Sequence, residues 1–97
     1  MNDSNRKMVR LLISGRVQGV GYRDWMIETA VALGVDGWVR NRLDGTVEAL
    51  AAGTIAAVDA LVRAAWSGPA AARVTAVDVS APAEPLPATG FSRRPTG

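Results

Sequence analysis

Between Gly15 and Arg23 the chain reads GRVQGVGYR, with three glycines, two arginines, one glutamine and no acid. An apolar run, VRLLIS, precedes it, and an amphipathic stretch, DWMIETAVALG, follows. A loop between a strand end and a helix start is a natural anion site. The first backbone N–H groups of a helix have no partner inside it, and the helix dipole adds partial positive charge there. Glycine takes positive φ cheaply, so Gly15, Gly19 and Gly21 would let successive N–H groups turn inward as a nest. Arg23, where the helix begins, could add a planar, permanently charged grip on phosphate. Taken alone, the loop also fits a plain glycine-rich connection with surface arginines. A second stretch, GWVRN, ends on Asn41 just ahead of a hairpin turn. Most Asn residues at such places are turn residues. Trp38 reads as a packing residue, and Arg40 and Arg42 as solvated.

The loop is not a Walker A motif, because no Lys followed by Ser or Thr comes after its glycines. Its glycine spacing does not fit the dinucleotide fingerprint either. The chain has no His and no Cys. Imidazole bases, thiolate nucleophiles, disulfides and the usual zinc ligand sets are therefore excluded. Any enzyme here works without the commonest general base. No acid cluster suggests a metal site, so no cofactor or metal is expected.

Elements are needed to hold these residues. Val9 to Ser14 predicts a strand, with Val9, Leu11 and Ile13 on one side. Met26, Ile27, Ala30 and Leu33 recur at helical spacing from Arg23 to Leu33, and Gly34 is placed to end that helix. GWVRN and TVEALA predict a hairpin turning at Asp44-Gly45. Thr54 caps a second helix whose stripe is Val58, Leu61, Val62 and Ala65, with Trp66 near its end. Gly68-Pro69 stops it. ARVTAVDVS predicts a strand with Thr75, Val77 and Val79 on one side, APAEPLPATG a loop, and FSRR a short last strand. This order is that of an α+β, ferredoxin-like sandwich, βαββαβ, with two helices on one face of an antiparallel sheet and a short fifth strand.

With 97 residues, the chain has room for one domain, 1–97, with residues 1–7 as a flexible tail. No apolar run reaches the roughly 20 residues that span a bilayer, and the start lacks the apolar segment of a secretory signal. A cytoplasmic protein with no membrane partner is expected. The formal charge is +2 and Lys7 is the only lysine. So small a charge is weak support for nucleic-acid binding. The arginine excess also matches a compositional bias shared with Ala, Gly and Val.

GRVQGVGYR followed by ALGVDGWVRNRLDGTVEALA resembles the acylphosphatase family, and the agreement continues through SGPAAARV into TGF. It runs from about Val9 to Phe91. The resemblance implies the ferredoxin-like fold, a fifth strand at FSRR, and hydrolysis of the carboxyl–phosphate bond of acyl phosphates. It puts the family's essential arginine on Arg23 and its essential asparagine on Asn41. The phosphate cradle then comprises backbone N–H groups of Gln18, Gly19, Val20, Gly21 and Tyr22, together with Arg23. Asn41 would orient the attacking water. The expected partner is a small-molecule acyl phosphate, with no nucleic acid, and the chain is expected to be a monomer. Two other readings compete. One is an RNA-binding module of the same fold, which needs strand aromatics to stack bases, and here Trp38 alone is available on a central strand. The other is the acylphosphatase-like domain of hydrogenase-maturation proteins, which are far longer and contain cysteine.

Overall fold

A computed structural model describes residues 5–85 and 89–97. The order along these residues is β1 (Arg6–Arg16), α1 (Tyr22–Leu33), β2 (Asp36–Asn41), β3 (Val47–Thr54), α2 (Ile55–Ala65), β4 (Arg73–Ser80) and β5 (Phe91–Arg93). The strands form one sheet in the order β4-β1-β3-β2-β5. Its first four strands are antiparallel, as expected, and β5 adds to β2 in parallel, so the sheet is mixed. No helix among the described residues is long and apolar enough to cross a membrane.

Period-2 alternation sets one face of β1 against the helices: Val9, Leu11 and Ile13 are buried with Met26 and Ala30 of α1 and Val58 and Leu61 of α2. Gly34 ends α1 in the left-handed region, and the Val35 N–H closes back on the Ala30 carbonyl at 2.9 Å. Thr54 caps α2, its Oγ1 accepting from the Ala57 N–H at 3.1 Å. Asp44 closes the β2–β3 hairpin by accepting from the Thr46 N–H and hydroxyl at 3.0 and 2.7 Å.

The edges depart from expectation. β1 begins at Arg6, and Arg6 and Lys7 pair with Thr54 and Gly53 of β3. Lys7 also forms an ion pair with Asp59 of α2. These two residues are therefore strand and not tail, while residues 1–4 lie outside the described residues, as do 86–88 of the expected Pro-rich loop. Gly15 belongs to β1 and not to the loop. It pairs with Val74 where Ser14 pairs with Ala76, so Thr75 is an extra residue on β4. A Cβ on Gly15 would run into the Arg73 carbonyl. The bulge breaks the expected alternation of β4. Val77 is buried and Val74 packs on the core, while Thr75 and Val79 are exposed.

The sheet face away from the helices carries Glu48, which accepts from Arg10 at 2.6 Å, Arg40 at 2.8 Å and Arg42 at 3.1 Å. Arg40 and Arg42, expected to be solvated, are half-buried against it. Trp38 lies on the same face with the Arg94 guanidinium 4.3 Å from its ring centroid. At 3% exposed, it packs as expected and offers no free ring face on which a base could stack.

Beyond β5 the backbone stays beside β2. Arg94 N–H donates to the Val39 carbonyl at 2.9 Å and Gly97 N–H to the Asn41 carbonyl at 3.1 Å. Asn41 is thus held by β3 on one side and by this segment on the other.

Candidate active site

The loop from Val17 to Gly21 joins β1 to α1. Gly19 and Gly21 take φ of 73° and 81°, a region L side chains avoid. Gly21 is the N-cap of α1, and no side chain caps that end. The first backbone bond across it runs from the Trp25 N–H to the Gly21 carbonyl, 3.1 Å. Among the described residues, the N–H groups from Gly19 to Asp24 find no acceptor. Those from Gly21 to Asp24 are donors left over by helix geometry.

The residues that carry the N–H groups from Gly19 to Asp24, Val20 excepted, border a pocket of about 100 Å³. Gly19, Gly21, Tyr22 and Arg23 contribute from the loop and helix start, with Val17 at its base. Asn41 contributes from the end of β2, on the helix side of the sheet because it shares a face with buried Val39. The volume is below the roughly 300–1,000 Å³ that encloses a drug-sized ligand. A phosphoryl group fits that scale, and a whole acyl phosphate does not.

Arg23 has the right electrostatics for an anion. Among the described residues Arg6, Arg16, Arg23, Arg63 and Arg73 form no ion pair, and of these only Arg23 is not exposed. A half-buried guanidinium with no counterion gains most from an incoming anion. The Asn41 carboxamide makes no hydrogen bond to the described residues, so its donor and acceptor are both available.

Other expected cradle residues do different work with their side chains. Gln18 and Val20 do not line the pocket. Gln18 Nε2 donates to the carbonyls of Arg42 at 2.8 Å and Thr46 at 2.9 Å, and Val20 packs on the core. The Tyr22 hydroxyl points away and donates to the Ala65 carbonyl at 2.6 Å. Burial pushes the Tyr22 phenol up from its ordinary value, so it remains a donor. Tyr22 thus offers the pocket a backbone N–H.

Three pocket residues, Val17, Asp24 and Arg93, were not among those expected at this site. Asp24, in the first turn of α1, is the only carboxylate lining the pocket among the described residues. Arg93 comes from β5 and forms an ion pair with Asp24. A signal existed: Arg93 is two residues from buried Phe91, so in a strand both share the helix side of the sheet.

A sequence model of the acylphosphatase family matches residues 9–93. A protein named acylphosphatase from Acidiphilium cryptum (strain JF-5) is 55% identical over 87 residues, covering 90% of this chain and 94% of its own length. The crystal structure of acylphosphatase from Bacillus subtilis matches with a TM-score of 0.84 at 36% identity, over 90% of this chain and 97% of that one. The structure of an acylphosphatase from Coxiella burnetii matches with a TM-score of 0.86 at 30% identity, over 97% of this chain and 98% of that one. A family match across both motif stretches, a relative more than half identical along most of the chain and two structures of the same fold agree: this chain belongs to the acylphosphatase family.

Proposed function

We propose that the pocket is where this chain hydrolyses the carboxyl–phosphate bond of acyl phosphates, with Arg23 and the loop N–H groups binding the phosphoryl group and Asn41 orienting the water. Hydrolysis of acyl phosphates follows from the family. The assignment of residues rests on one observation above all, the unpaired, half-buried Arg23 and the unbonded Asn41 carboxamide facing one phosphoryl-sized pocket.

The chemistry needs little else. The N–H groups of Gly19 to Arg23 and the Arg23 fork hold the phosphoryl oxygens, where charge is concentrated in the transition state. Asn41, on a different element, holds the water at attacking distance, which converts an encounter into a positioned reaction. The water oxygen bonds to phosphorus as the bond from phosphorus to the carboxyl oxygen breaks. The electron pair leaves on a carboxylate, which departs without being protonated, so no general acid is required. The proton lost by the water passes to a phosphoryl oxygen, so an acyl phosphate dianion and water give a carboxylate and dihydrogen phosphate. No step uses a metal or a cofactor.

A monomer of one domain, acting on a small molecule in the cytoplasm without nucleic acid, belongs to the same proposal. Covered Trp38 supports the last point.

The test is hydrolysis of benzoyl phosphate in the presence of a chelator by the wild type, Arg23→Ala and Asn41→Ala. A fast wild type and two inactive, folded variants support the assignment. A wild type that stops when chelated, or an active Arg23→Ala, contradicts it. A pH-rate limb that disappears in Asp24→Asn would move the proton from the phosphoryl oxygen to Asp24.

A further inference from the structure

The pocket has a second cation that phosphoryl binding does not require. Arg93 is placed on the pocket side of the sheet by β5, whose parallel register sets Arg93 against Val39, two residues before Asn41. Its Nη2 bonds Asp24 Oδ1, and its Nε and Nη1 have no partner among the described residues. The pair is open to solvent, 42% at Arg93 and 74% at Asp24, so it stands at the mouth and not in the floor. A pocket of about 100 Å³ takes the phosphoryl head and leaves the acyl portion outside, at that mouth.

We infer that Arg93 selects acyl phosphates whose acyl portion carries a second anionic group. This rests on the active-site reading above. An uncharged acyl group meets an ion pair whose charge is already balanced. A carboxylate or phosphate on the acyl portion meets a guanidinium with one edge unused and an exchangeable partner on the other. It gains a charge-assisted, planar contact that Asp24 alone cannot saturate. Asp24 sets the threshold, because the incoming anion competes with it for Arg93. Arg93 is therefore specificity-determining, acting on the far end of the substrate and not on the reacting phosphorus.

The experiment compares kcat/KM for benzoyl phosphate and 3-carboxybenzoyl phosphate in the full chain, for the wild type, Arg93→Gln, Arg93→Lys, Asp24→Asn and the Arg93→Gln/Asp24→Asn double variant. The ratio of carboxylated to plain substrate falls about five- to tenfold in Arg93→Gln, through KM. Arg93→Lys, which keeps the charge and loses the fork, falls part of the way. Asp24→Asn raises the ratio about two- to threefold, and the double variant loses that gain, because the gain acts through Arg93. Equal losses on both substrates in Arg93→Gln would make Arg93 a phosphoryl ligand or a structural residue and overturn the inference. So would a gain from Asp24→Asn that persists without Arg93, which would be through-space charge only. A wild type that hydrolyses neither compound overturns the active-site reading, and the inference falls with it. A wild type that hydrolyses benzoyl phosphate with a ratio indifferent to Arg93 overturns the inference alone.

Discussion

Gln18 Nε2 lies 2.8 Å from the Arg42 carbonyl oxygen, and the same amide reaches the Thr46 carbonyl at 2.9 Å. One side chain of the loop thus holds both ends of the hairpin turn that follows Asn41. Two parts of the site that are far apart in sequence are set at a fixed separation by two neutral hydrogen bonds. Each carbonyl also accepts a backbone N–H, from Gly45 and Arg42 respectively, so neither is orphaned when Gln18 is removed.

Gln18→Ala is accordingly expected to cost about 1–2 kcal/mol of stability and to lower kcat by about tenfold, because a water held on a loosened hairpin is misplaced. Inhibition by inorganic phosphate should fall much less than kcat. Urea melts and steady-state kinetics check this. Equal losses in phosphate binding and turnover would make Gln18 part of the cradle and not a positioning residue.

Arg23→Ala removes the one half-buried cation that has no ion pair among the described residues. A single well-aimed donor is worth about 100–1,000-fold in rate, and Arg23 adds full charge, so kcat/KM should fall by at least about that much. Arg23→Lys should recover only a small part, since a point charge lacks the planar fork. Competitive inhibition by inorganic phosphate should weaken in both. The wild-type phosphate affinity in either variant would refute this assignment.

Glu48 predicts acid sensitivity. Burial raises its carboxyl, but hydrogen bonds from Arg10 and Arg40 outweigh that and hold it below its ordinary value of 4.5. Because the folded value is the lower one, its stabilisation is fully present above 4.5 and is lost as pH falls through the folded value. Glu48 is 8% exposed while its three arginines are about a third exposed. Screening therefore trims the usual penalty for breaking a buried pair, and Glu48→Gln should cost about 1–2 kcal/mol at pH 7. Thermal melts of the wild type and Glu48→Gln should converge in acid below 4.5. A gap between the two curves that persists unchanged into strong acid would contradict it.

Tyr22→Phe should be a stability variant. It strips the donor from the Ala65 carbonyl in a residue 1% exposed. An unsatisfied buried acceptor costs about 1–2 kcal/mol, or about 5–10 °C in a domain this small. Calorimetry decides, and an unchanged Tm would mean that water replaces the phenol.

Local signals made much of the fold readable. The alternation of Val9, Leu11 and Ile13, the stripe on α1, Gly34, Asp44-Gly45 and Thr54 each act within a few residues, and each element stands where its own chemistry puts it. What escaped depends on partners elsewhere. The β4 bulge exists because β1 presents a glycine, Gly15, opposite it. Arg40 and Arg42 leave solvent only because register sets Glu48 beside them. The parallel pairing of β5 is not encoded in three residues. In the site, Arg23 stood out because loop chemistry is local, whereas Asn41 read locally as a turn residue and entered the site only through the family resemblance; the fold brings both to one pocket. The Gln18 bridge was not, because a glutamine amide can reach many carbonyls. Arg93 was half legible, by its spacing from Phe91, and was obscured by the polarity of its segment.

The central claim is a division of labour, Arg23 for binding and Asn41 for the water. The most direct measurement is inorganic phosphate affinity alongside kcat for benzoyl phosphate in folded Asn41→Ala. The account predicts a loss of turnover of at least about 100-fold with phosphate affinity within about threefold of wild type. Parallel loss of affinity and turnover would contradict it, and would place Asn41 among the groups that hold the phosphate.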